Sequence, residues 1–328
     1  MAVIRVGIIG ASPDKGWGSA VHVPAIAFLP DVALTAVCTT RMETARRSAE
    51  QFGEKLAFDD PAALVIHPQV GLFVVAVKAP DHYWLANMAL EAARHVYCEW
   101  PLAVTVAQAE KMASLAAQQG VCAMLGLQAR GSPLLRCLRD MIALGYVGRV
   151  VAVRMHCALP GGGARRSADG LYVVYKETGA GTLNIQGGHA IDALQFCVGP
   201  LGELSAVVVN SFPDVEVVEP ARSWPGCFRP DLRLRPNRDR GGRIDCDSWR
   251  DRRRPRYFHG RVRDRGTLSV RGSRGQGFQM SELQLFGAQA PDTRLAELSV
   301  PDGYNTRIIP DGQTGRHPYP GVDCREQH

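Results

Sequence analysis

The first 130 residues alternate short, apolar, β-branched runs with helical patterns, and this alternation restricts the possible folds more than any other feature. Strands are predicted at residues 4–9, 33–38, 71–77, 95–98 and 122–127. The run at 71–77 is apolar throughout, as expected of a strand that is buried on both faces of a parallel sheet. Strands that alternate with helices predict an α/β fold whose N-terminal part is a doubly wound parallel sheet.

Helical signals fill the connections between these strands. Apolar side chains recur at helical spacing within residues 81–93, and a shorter helix is predicted at 44–52. Thr105 and Gln108 predict a capping box at the start of a third helix. Ser132, which a proline follows, is typical of the cap of a fourth helix.

The pattern changes after Gly148, where strands gather and helices become rare. A helix is predicted at 188–198, and strands are predicted at 149–157, 204–209, 215–218, 267–270 and 283–286. Such a region predicts an α+β domain beside the first. The length of 328 residues agrees with two domains at about 100–200 residues each. We divide the chain into a first domain at 1–128, a second at 129–303 and an irregular tail at 304–328.

One segment supplies all of the basic character of the chain. Residues 221–265 contain 15 arginines, six aspartates and no lysine, a local charge of +9, whereas the whole chain carries +6. The segment has neither helical nor alternating periodicity. Three interpretations remain open: a solvated insertion, a nucleic-acid-binding stretch, or the product of a shifted reading frame. We prefer the third because strand patterns return near Gly266, and we expect no nucleic-acid partner.

Composition argues against several classes of protein. No apolar run approaches the roughly 18 residues that a membrane helix needs, and we expect no membrane partner. The N-terminal residues lack a charged head followed by a long apolar stretch, and we expect no signal peptide. The nine cysteines are scattered without zinc-ligand spacing, which predicts no metal site and reduced thiols in a cytoplasmic protein.

A glycine-containing loop, GIIGASPDKGW at residues 7–17, follows the first strand directly. Dinucleotide-binding folds need glycine here for a tight turn and for close approach to the pyrophosphate. The helix that follows would then present its amide groups to the phosphates. We predict cofactor contacts from Gly10, Ser12, Lys15, Gly16 and Trp17. The alternative is an ordinary turn between a strand and a helix, because Ser12 stands where the second glycine of the usual motif would be.

The end of the second predicted strand indicates which dinucleotide binds. NAD sites place Asp or Glu there to bond the ribose hydroxyls, whereas an arginine accommodates a 2′-phosphate. The residues here are Thr39, Thr40 and Arg41. We therefore predict NADP rather than NAD as the preferred cofactor, with Thr40 and Arg41 in contact with it. The alternative is that Arg41 is a solvated residue at the start of a helix.

Four motifs together resemble one family of oxidoreductases. They are LEAARHVYCEWPL at 90–102, GGHAID at 187–192, LQARGSP at 127–133 and SPDKGW at 12–17. On these residues the chain resembles the Gfo/Idh/MocA family over about residues 3–220 and 266–300, and in particular the branch that contains the yeast galactose-regulon repressor. The resemblance implies an N-terminal Rossmann domain, a second domain with a large, open, mostly antiparallel sheet, and a homodimer.

The same resemblance implies hydride transfer between NAD(P) and a sugar or polyol hydroxyl. In the family, the lysine of a Glu-Lys-Pro motif and an Asp/His pair assist that transfer. Here Trp100 and Ile185 stand in the lysine and aspartate positions. His189 remains as the candidate acid/base, with Asp192 one turn later to orient it. Lys78, at the carboxyl end of a buried strand, is the candidate replacement for the lost lysine or a ligand of a cofactor phosphate.

Further site residues follow from their positions in the motifs. We assign His82, Glu99 and Trp100 to the cofactor. We assign Gln128, Arg130, Lys176 and His189 to the substrate. Each assignment has a plain alternative, namely helix capping or packing for His82 and His189, solvent exposure for Lys78 and a core position for Trp100.

Three functions are compatible with these residues. The first is an NADP-dependent oxidoreductase that acts on a sugar or polyol. The second is a non-catalytic NADP-binding regulator that acts by protein contact, which the replaced lysine and aspartate favour. The third is nucleic-acid binding through residues 221–265, which predicts an affinity that falls steeply with salt.

Overall fold

The computed structural model describes residues 3–157, 164–210, 212–218, 265–272 and 281–304, with the backbone alone at 233–234 and 256–259. Most of the basic segment at 221–265, and the tail after residue 304, lie outside the described residues. The chain forms two compact units. The first unit contains the described residues up to 131 together with 177–180, and the second contains those of 132–176 and 181–304.

A six-stranded parallel sheet forms the first unit. Its strands are β1 (Ile4–Ile9), β2 (Val32–Cys38), β3 (Leu56–Phe58), β4 (Leu72–Val75), β5 (His95–Glu99) and β6 (Ala123–Gly126). Their order is β3-β2-β1-β4-β5-β6, with β1 between β2 and β4. This order confirms the doubly wound Rossmann sheet. The three-residue strand β3 lies at the sheet edge beside β2 and was not predicted.

Helices cover both faces of this sheet. They are α1 (Val23–Ala27), α2 (Met42–Phe52), α3 (Pro61–Val65), α4 (His82–Glu91) and α5 (Val106–Gln119). A π-helical turn, Gly18–His22, runs directly into α1, and 3₁₀ turns lie at Ala79–Asp81 and Gln128–Gly131. Because side chains alternate along a strand, Val6 and Ile8 pack towards α1 and α2. Phe73 and Val75 pack on the opposite face, towards α3, α4 and α5.

The start of α5 carries the predicted capping box. The Thr105 hydroxyl accepts a hydrogen bond from the Gln108 amide at 3.2 Å, and the Gln108 side chain accepts one from the Thr105 amide at 3.2 Å. The helix ends at Gly120, whose φ of +63° suits glycine. Both ends of this helix are therefore determined by local side-chain chemistry.

Replacing Thr105 with alanine is expected to lower the free energy of unfolding by about 1 kcal/mol, because the Gln108 amide loses its side-chain acceptor. Urea unfolding measures the change. Ser114→Ala, on the exposed middle of the same helix, is the matched control. It should be neutral or slightly stabilising because alanine has the higher helix propensity. Equal losses in the two variants would contradict the role of the cap.

The second unit contains two sheets and two helices. Its helices are α6 (Pro133–Ala143) and α7 (Gly188–Val198). Its strands are β7 (Arg154–Met155), β8 (Arg165–Arg166), β9 (Val215–Val217), β10 (Arg233–Leu234), β11 (Arg256–His259), β12 (Gly266–Gly272), β13 (Leu283–Gln289) and β14 (Ala296–Leu298). One sheet has the order β14-β13-β12-β11-β7 and is antiparallel throughout. The other has the order β10-β9-β8. The predicted antiparallel sheet is confirmed.

Two strand predictions in this unit are wrong. The strand predicted at 149–157 shrinks to β7, because only Arg154 and Met155 have partners on β11. The run at 204–209 is not a strand, and no described strand pairs with it. Leu204, Val207 and Val208 are instead exposed. A strand exists only where a neighbour supplies hydrogen bonds, and an apolar, β-branched run does not reveal whether one does.

The described residues contain no membrane-spanning helix, since none of their helices is long and apolar enough to cross a membrane. Within the same residues, the six cysteines are unbridged and no group of His, Cys, Asp and Glu could hold a metal ion. Burial raises the pKa of the Cys38 and Cys197 thiols to about 12, so both stay protonated and inert at neutral pH.

Candidate functional site

The loop after β1 has the geometry of a dinucleotide-binding turn. Gly10 has a φ of +101°, and a Cβ atom there would lie 2.4 Å from the Ala76 carbonyl oxygen. Gly18 opens the following helical turn, and a Cβ atom there would lie 2.9 Å from the Gly10 carbonyl oxygen. Only glycine fits at either place without displacing backbone. Sequence analysis identified Gly10 but missed Gly18, whose signal was its position at the start of the helix.

Side chains from two helices hold this loop. The Ser19 hydroxyl donates to the Ser12 carbonyl. The Ser48 hydroxyl, on α2, donates to the Ala11 carbonyl at 2.7 Å, and this contact is buried. Gly16 has a φ of +104°, and a Cβ atom there would meet only the Gly10 carbonyl oxygen within 4 Å. The loop is therefore fixed along its inner side and open at Gly16.

Hydroxyl groups and an arginine lie at the end of β2. The Thr39 and Thr44 hydroxyl oxygens are 2.6 Å apart, and each lies within 3.0 Å of the Arg41 carbonyl oxygen. These contacts fix the backbone at the start of α2, where Arg41 is the N-terminal flanking residue. Thr40 and Arg41 are both exposed. Residues 39–41 contain no carboxylate that would bond a ribose hydroxyl or repel a phosphate.

A buried polar network lies where β5 and β6 end. His22 Nε2 is 2.7 Å from Glu99 Oε1, and Gln128 Nε2 donates to Glu99 Oε2 at 2.8 Å. His22 is 1% exposed and Glu99 is 8% exposed. The His22 ring also packs edge-on against Tyr97, with 5.4 Å between centroids. Both carboxylate oxygens of Glu99 are therefore bonded within the protein.

This network joins three elements and was only partly foreseen. Glu99 and Gln128 were predicted site residues, whereas His22 was missed. Its one signal was a histidine among the buried residues Val21, Ala25 and Ile26 of the helix that follows the glycine loop. Gly126 completes the arrangement, because a Cβ atom there would lie 2.6 Å from Glu99 Oε2.

The charge of Glu99 affects its neighbours. Burial raises the pKa of Tyr97 well above its usual value, and the nearby Glu99 carboxylate raises it further. Burial and Glu99 also raise the pKa of the Cys98 thiol. Both groups therefore stay protonated and neutral beside the carboxylate at physiological pH.

His82 joins the ends of two neighbouring strands. Its Nδ1 is 2.6 Å from the Pro101 carbonyl oxygen and its Nε2 is 3.1 Å from the Val77 carbonyl oxygen. The ring is 1% exposed. These contacts match the packing alternative for His82, and its contact with a cofactor stays a prediction. Lys78, just before the same turn, is exposed at the carboxyl edge of the sheet, and Trp100 is half-buried there.

The remaining predicted residues fall into two groups. In the first unit, Arg130 is exposed on the 3₁₀ turn that begins with Gln128. In the second unit, His189 is buried near the start of α7 and Asp192 follows one turn later, so the two share one side of the helix. Lys176 is exposed on a separate 3₁₀ turn, Lys176–Thr178.

These observations fit a dinucleotide in the first unit. The loop at Gly10–Gly16 would take the pyrophosphate, because its backbone is open at Gly16 and carries no side chain there. The residues at 39–41 would take the adenosine ribose. Lys15 and Trp17, on the same loop, complete the set of predicted cofactor residues in this part of the chain.

Comparison with known proteins agrees with this organisation. Residues 4–127 match the family model GFO_IDH_MocA, described as an oxidoreductase family with an NAD-binding Rossmann fold. Residues 133–227 match the C-terminal domain of Gal80p. The two models together end before most of the arginine-rich segment. The resemblance that the sequence motifs indicated is therefore confirmed for both domains.

Individual relatives include regulators and sugar dehydrogenases. The galactose/lactose metabolism regulatory protein GAL80 of Saccharomyces cerevisiae is 28% identical over 66% of this chain and 53% of its own length. The D-glucoside 3-dehydrogenase of Escherichia coli is 32% identical over 65% of this chain and 58% of its own. The chain thus spans little more than half the length of these curated relatives. The crystal structure of a super-repressor mutant, E351K, of S. cerevisiae Gal80p shares the fold, with a TM-score of 0.71, 21% identity and coverage of 90% of this chain and 81% of that one.

Proposed function

We propose that this chain binds NADP in preference to NAD and oxidises or reduces a sugar or polyol hydroxyl. The chain joins a Gfo/Idh/MocA NAD-binding Rossmann domain to a Gal80-like C-terminal domain. One observation carries the choice of cofactor. The end of β2 exposes the side chains of Thr40 and Arg41, and residues 39–41 contain no carboxylate. A 2′-phosphate is stabilised by such a set, whereas an NAD site would offer an Asp or Glu to the ribose.

The chemistry requires removal of the hydroxyl proton as hydride leaves. When bound, the nicotinamide cofactor accepts or donates that hydride. We assign the proton to His189, whose imidazole is suited to exchange one near neutral pH, and we assign Asp192 to orient it. Lys78 would supply positive charge from the edge of the Rossmann sheet, and Lys176, Gln128 and Arg130 would bond substrate hydroxyls. The sugar class is supported by relatives named D-glucoside 3-dehydrogenase and levoglucosan dehydrogenase.

A second candidate is a non-catalytic, NADP-binding regulator that acts by protein contact. Two replacements favour it. Trp100 follows Glu99 where the family has lysine, and Ile185 stands four residues before His189 where the family has aspartate. A relative with regulatory function, the GAL80 protein of Kluyveromyces lactis, is 28% identical over 64% of this chain. For either function we also propose a homodimer in the cytoplasm, where the unbridged thiols of the described cysteines would stay reduced.

Titration of the purified protein with NADPH and with NADH tests the cofactor assignment. We expect NADPH to bind about tenfold more tightly, which corresponds to about 1.4 kcal/mol. Thr40→Asp places a carboxylate at the exposed end of β2 and should remove or reverse that preference, because it repels the 2′-phosphate and bonds a ribose hydroxyl. Thr40→Asn, of the same size but neutral, is the control and should keep the preference. An unchanged ratio in Thr40→Asp would contradict the assignment.

Turnover distinguishes the two candidate functions. With NADP present, sugars and polyols should give NADPH at a rate that falls by about a hundredfold or more in His189→Ala, because the acid/base is lost. His189→Ala should bind NADPH as tightly as the wild type does. Tight NADPH binding without turnover of any sugar would favour the regulator.

A further inference from the structure

One ion pair connects the glycine loop to α2. Arg47 Nη2 lies 3.0 Å from Asp14 Oδ1 and 3.2 Å from Asp14 Oδ2. The adjacent residue, Ser48, donates to the Ala11 carbonyl of the same loop. The ion pair and the Ser48 hydrogen bond differ in environment. Ser48 is fully buried, whereas the Arg47 and Asp14 side chains are 51% and 67% exposed. Helix α2 therefore holds the loop at two neighbouring positions, one neutral and buried and one charged and exposed.

The exposed pair contributes little to holding the loop. Ion pairs in water gain little net energy, since solvent and salt screen them. The buried Ser48 bond to a backbone carbonyl carries no charge and does not compete with a ligand. Arg47 can therefore exchange Asp14 for another anionic partner without releasing the loop from α2.

The position of the pair matches the adenosine ribose rather than the nicotinamide. In dinucleotide folds, the ribose that carries the 2′-phosphate lies between the loop after the first strand and the end of the second. Arg47 reaches from the helix after β2 onto that loop. Lys15, Arg41 and Arg46 add positive charge near this pair, whereas Glu43 and Glu50 on α2 and Asp59 and Asp60 near the end of β2 add negative charge. The geometry of the guanidinium fork, and not the net charge of the region, therefore favours a phosphate at Arg47.

We propose that Asp14 is an internal competitor for Arg47, and that the 2′-phosphate of a bound dinucleotide displaces Asp14 and takes its place on the guanidinium. Phosphate and carboxylate both fit the planar fork of arginine, and the phosphate carries the larger charge. Arg47 is then a determinant of the choice between NADP and NAD in addition to Arg41. This inference rests on the proposed NADP binding.

The test is titration of the wild type and three variants with NADPH and with NADH. Arg47→Ala should weaken NADPH binding about tenfold and leave NADH binding within about twofold. Arg46→Ala removes the same charge one position earlier and should change either affinity by no more than about threefold. Asp14→Asn removes the competitor and should strengthen NADPH binding by about threefold or more, with NADH binding unchanged.

The outcomes separate this inference from the proposed function. If the wild type prefers NADPH but Arg47→Ala does not alter that preference, the inference is wrong and the proposed function stands. If Arg47→Ala weakens both dinucleotides equally, Arg47 merely shapes the loop and the inference is again wrong. Weaker NADPH binding in Asp14→Asn would exclude competition. A wild type that binds neither dinucleotide would overturn the inference and the proposed function together.

Discussion

Gly10→Ala is expected to destabilise the first unit by about 2–6 kcal/mol and to abolish dinucleotide binding. A methyl group there would lie 2.4 Å from the Ala76 carbonyl oxygen and 2.8 Å from a methyl carbon of Val77. The φ of +101° adds backbone strain for any residue with a Cβ atom. Strain and overpacking each cost about 1–3 kcal/mol. The Ala76 backbone cannot retreat, because its amide donates to the Ile9 carbonyl at 2.9 Å.

Urea unfolding and NADPH titration measure these two effects. Gly53→Ala is the matched control, since Gly53 also has a positive φ, +77°, but has nothing within 4 Å of the position a Cβ atom would occupy. Gly53→Ala should lower the free energy of unfolding only by the strain of the left-handed backbone conformation, about 1–2 kcal/mol. NADPH binding should be unchanged. Equal costs in the two variants would show that contact with Ala76 does not restrict the residue at position 10.

Glu99→Ala is expected to lower the free energy of unfolding by about 2–6 kcal/mol. The substitution leaves His22 and Gln128 without their carboxylate acceptor in a buried region, and each buried polar group left unsatisfied costs about 1–3 kcal/mol. The exposed pair formed by Arg47 and Asp14 provides the comparison. Arg47→Ala should cost less than about 1 kcal/mol, since water replaces the lost contact.

A double substitution tests whether the cost arises from the network itself. His22→Leu with Glu99→Leu removes both groups together and should cost less than the sum of the single changes, since neither member of the pair is left without its partner. The coupling is obtained from urea unfolding of the two single variants and the double variant. Strictly additive losses would show that His22 and Glu99 contribute independently, which would contradict the importance of the 2.7 Å contact between them.

Sequence patterns predicted those features that depend on neighbouring residues. Apolar, β-branched runs that alternate with helical patterns predicted β1, β2 and β4. The capping box at Thr105 was predicted from residues three positions apart. Gly10 was predicted because a turn after the first strand requires glycine. In each case the residues that carry the signal lie within a few positions of one another, although the contact that restricts Gly10, with Ala76, is distant along the chain.

The failures share a different cause. The run at 204–209 has the composition of a strand, yet the described part of the chain gives it no partner, and the strand predicted at 149–157 pairs over two residues only. Pairing is a contact between distant segments, and composition does not encode which segments meet.

The sequence by itself determined the parallel sheet, the glycine loop and the absence of a carboxylate at residues 39–41, because local periodicity and single-residue geometry are sufficient for each. Only the tertiary structure decided what the polar residues of the site do. It placed His22 against Glu99, 77 residues away, and Gln128 against the same carboxylate, 29 residues away. It also brought Arg47 to Asp14 across 33 residues. The physical reason is that parallel strands carry their carboxyl ends to one edge of the sheet, where side chains distant along the chain become neighbours.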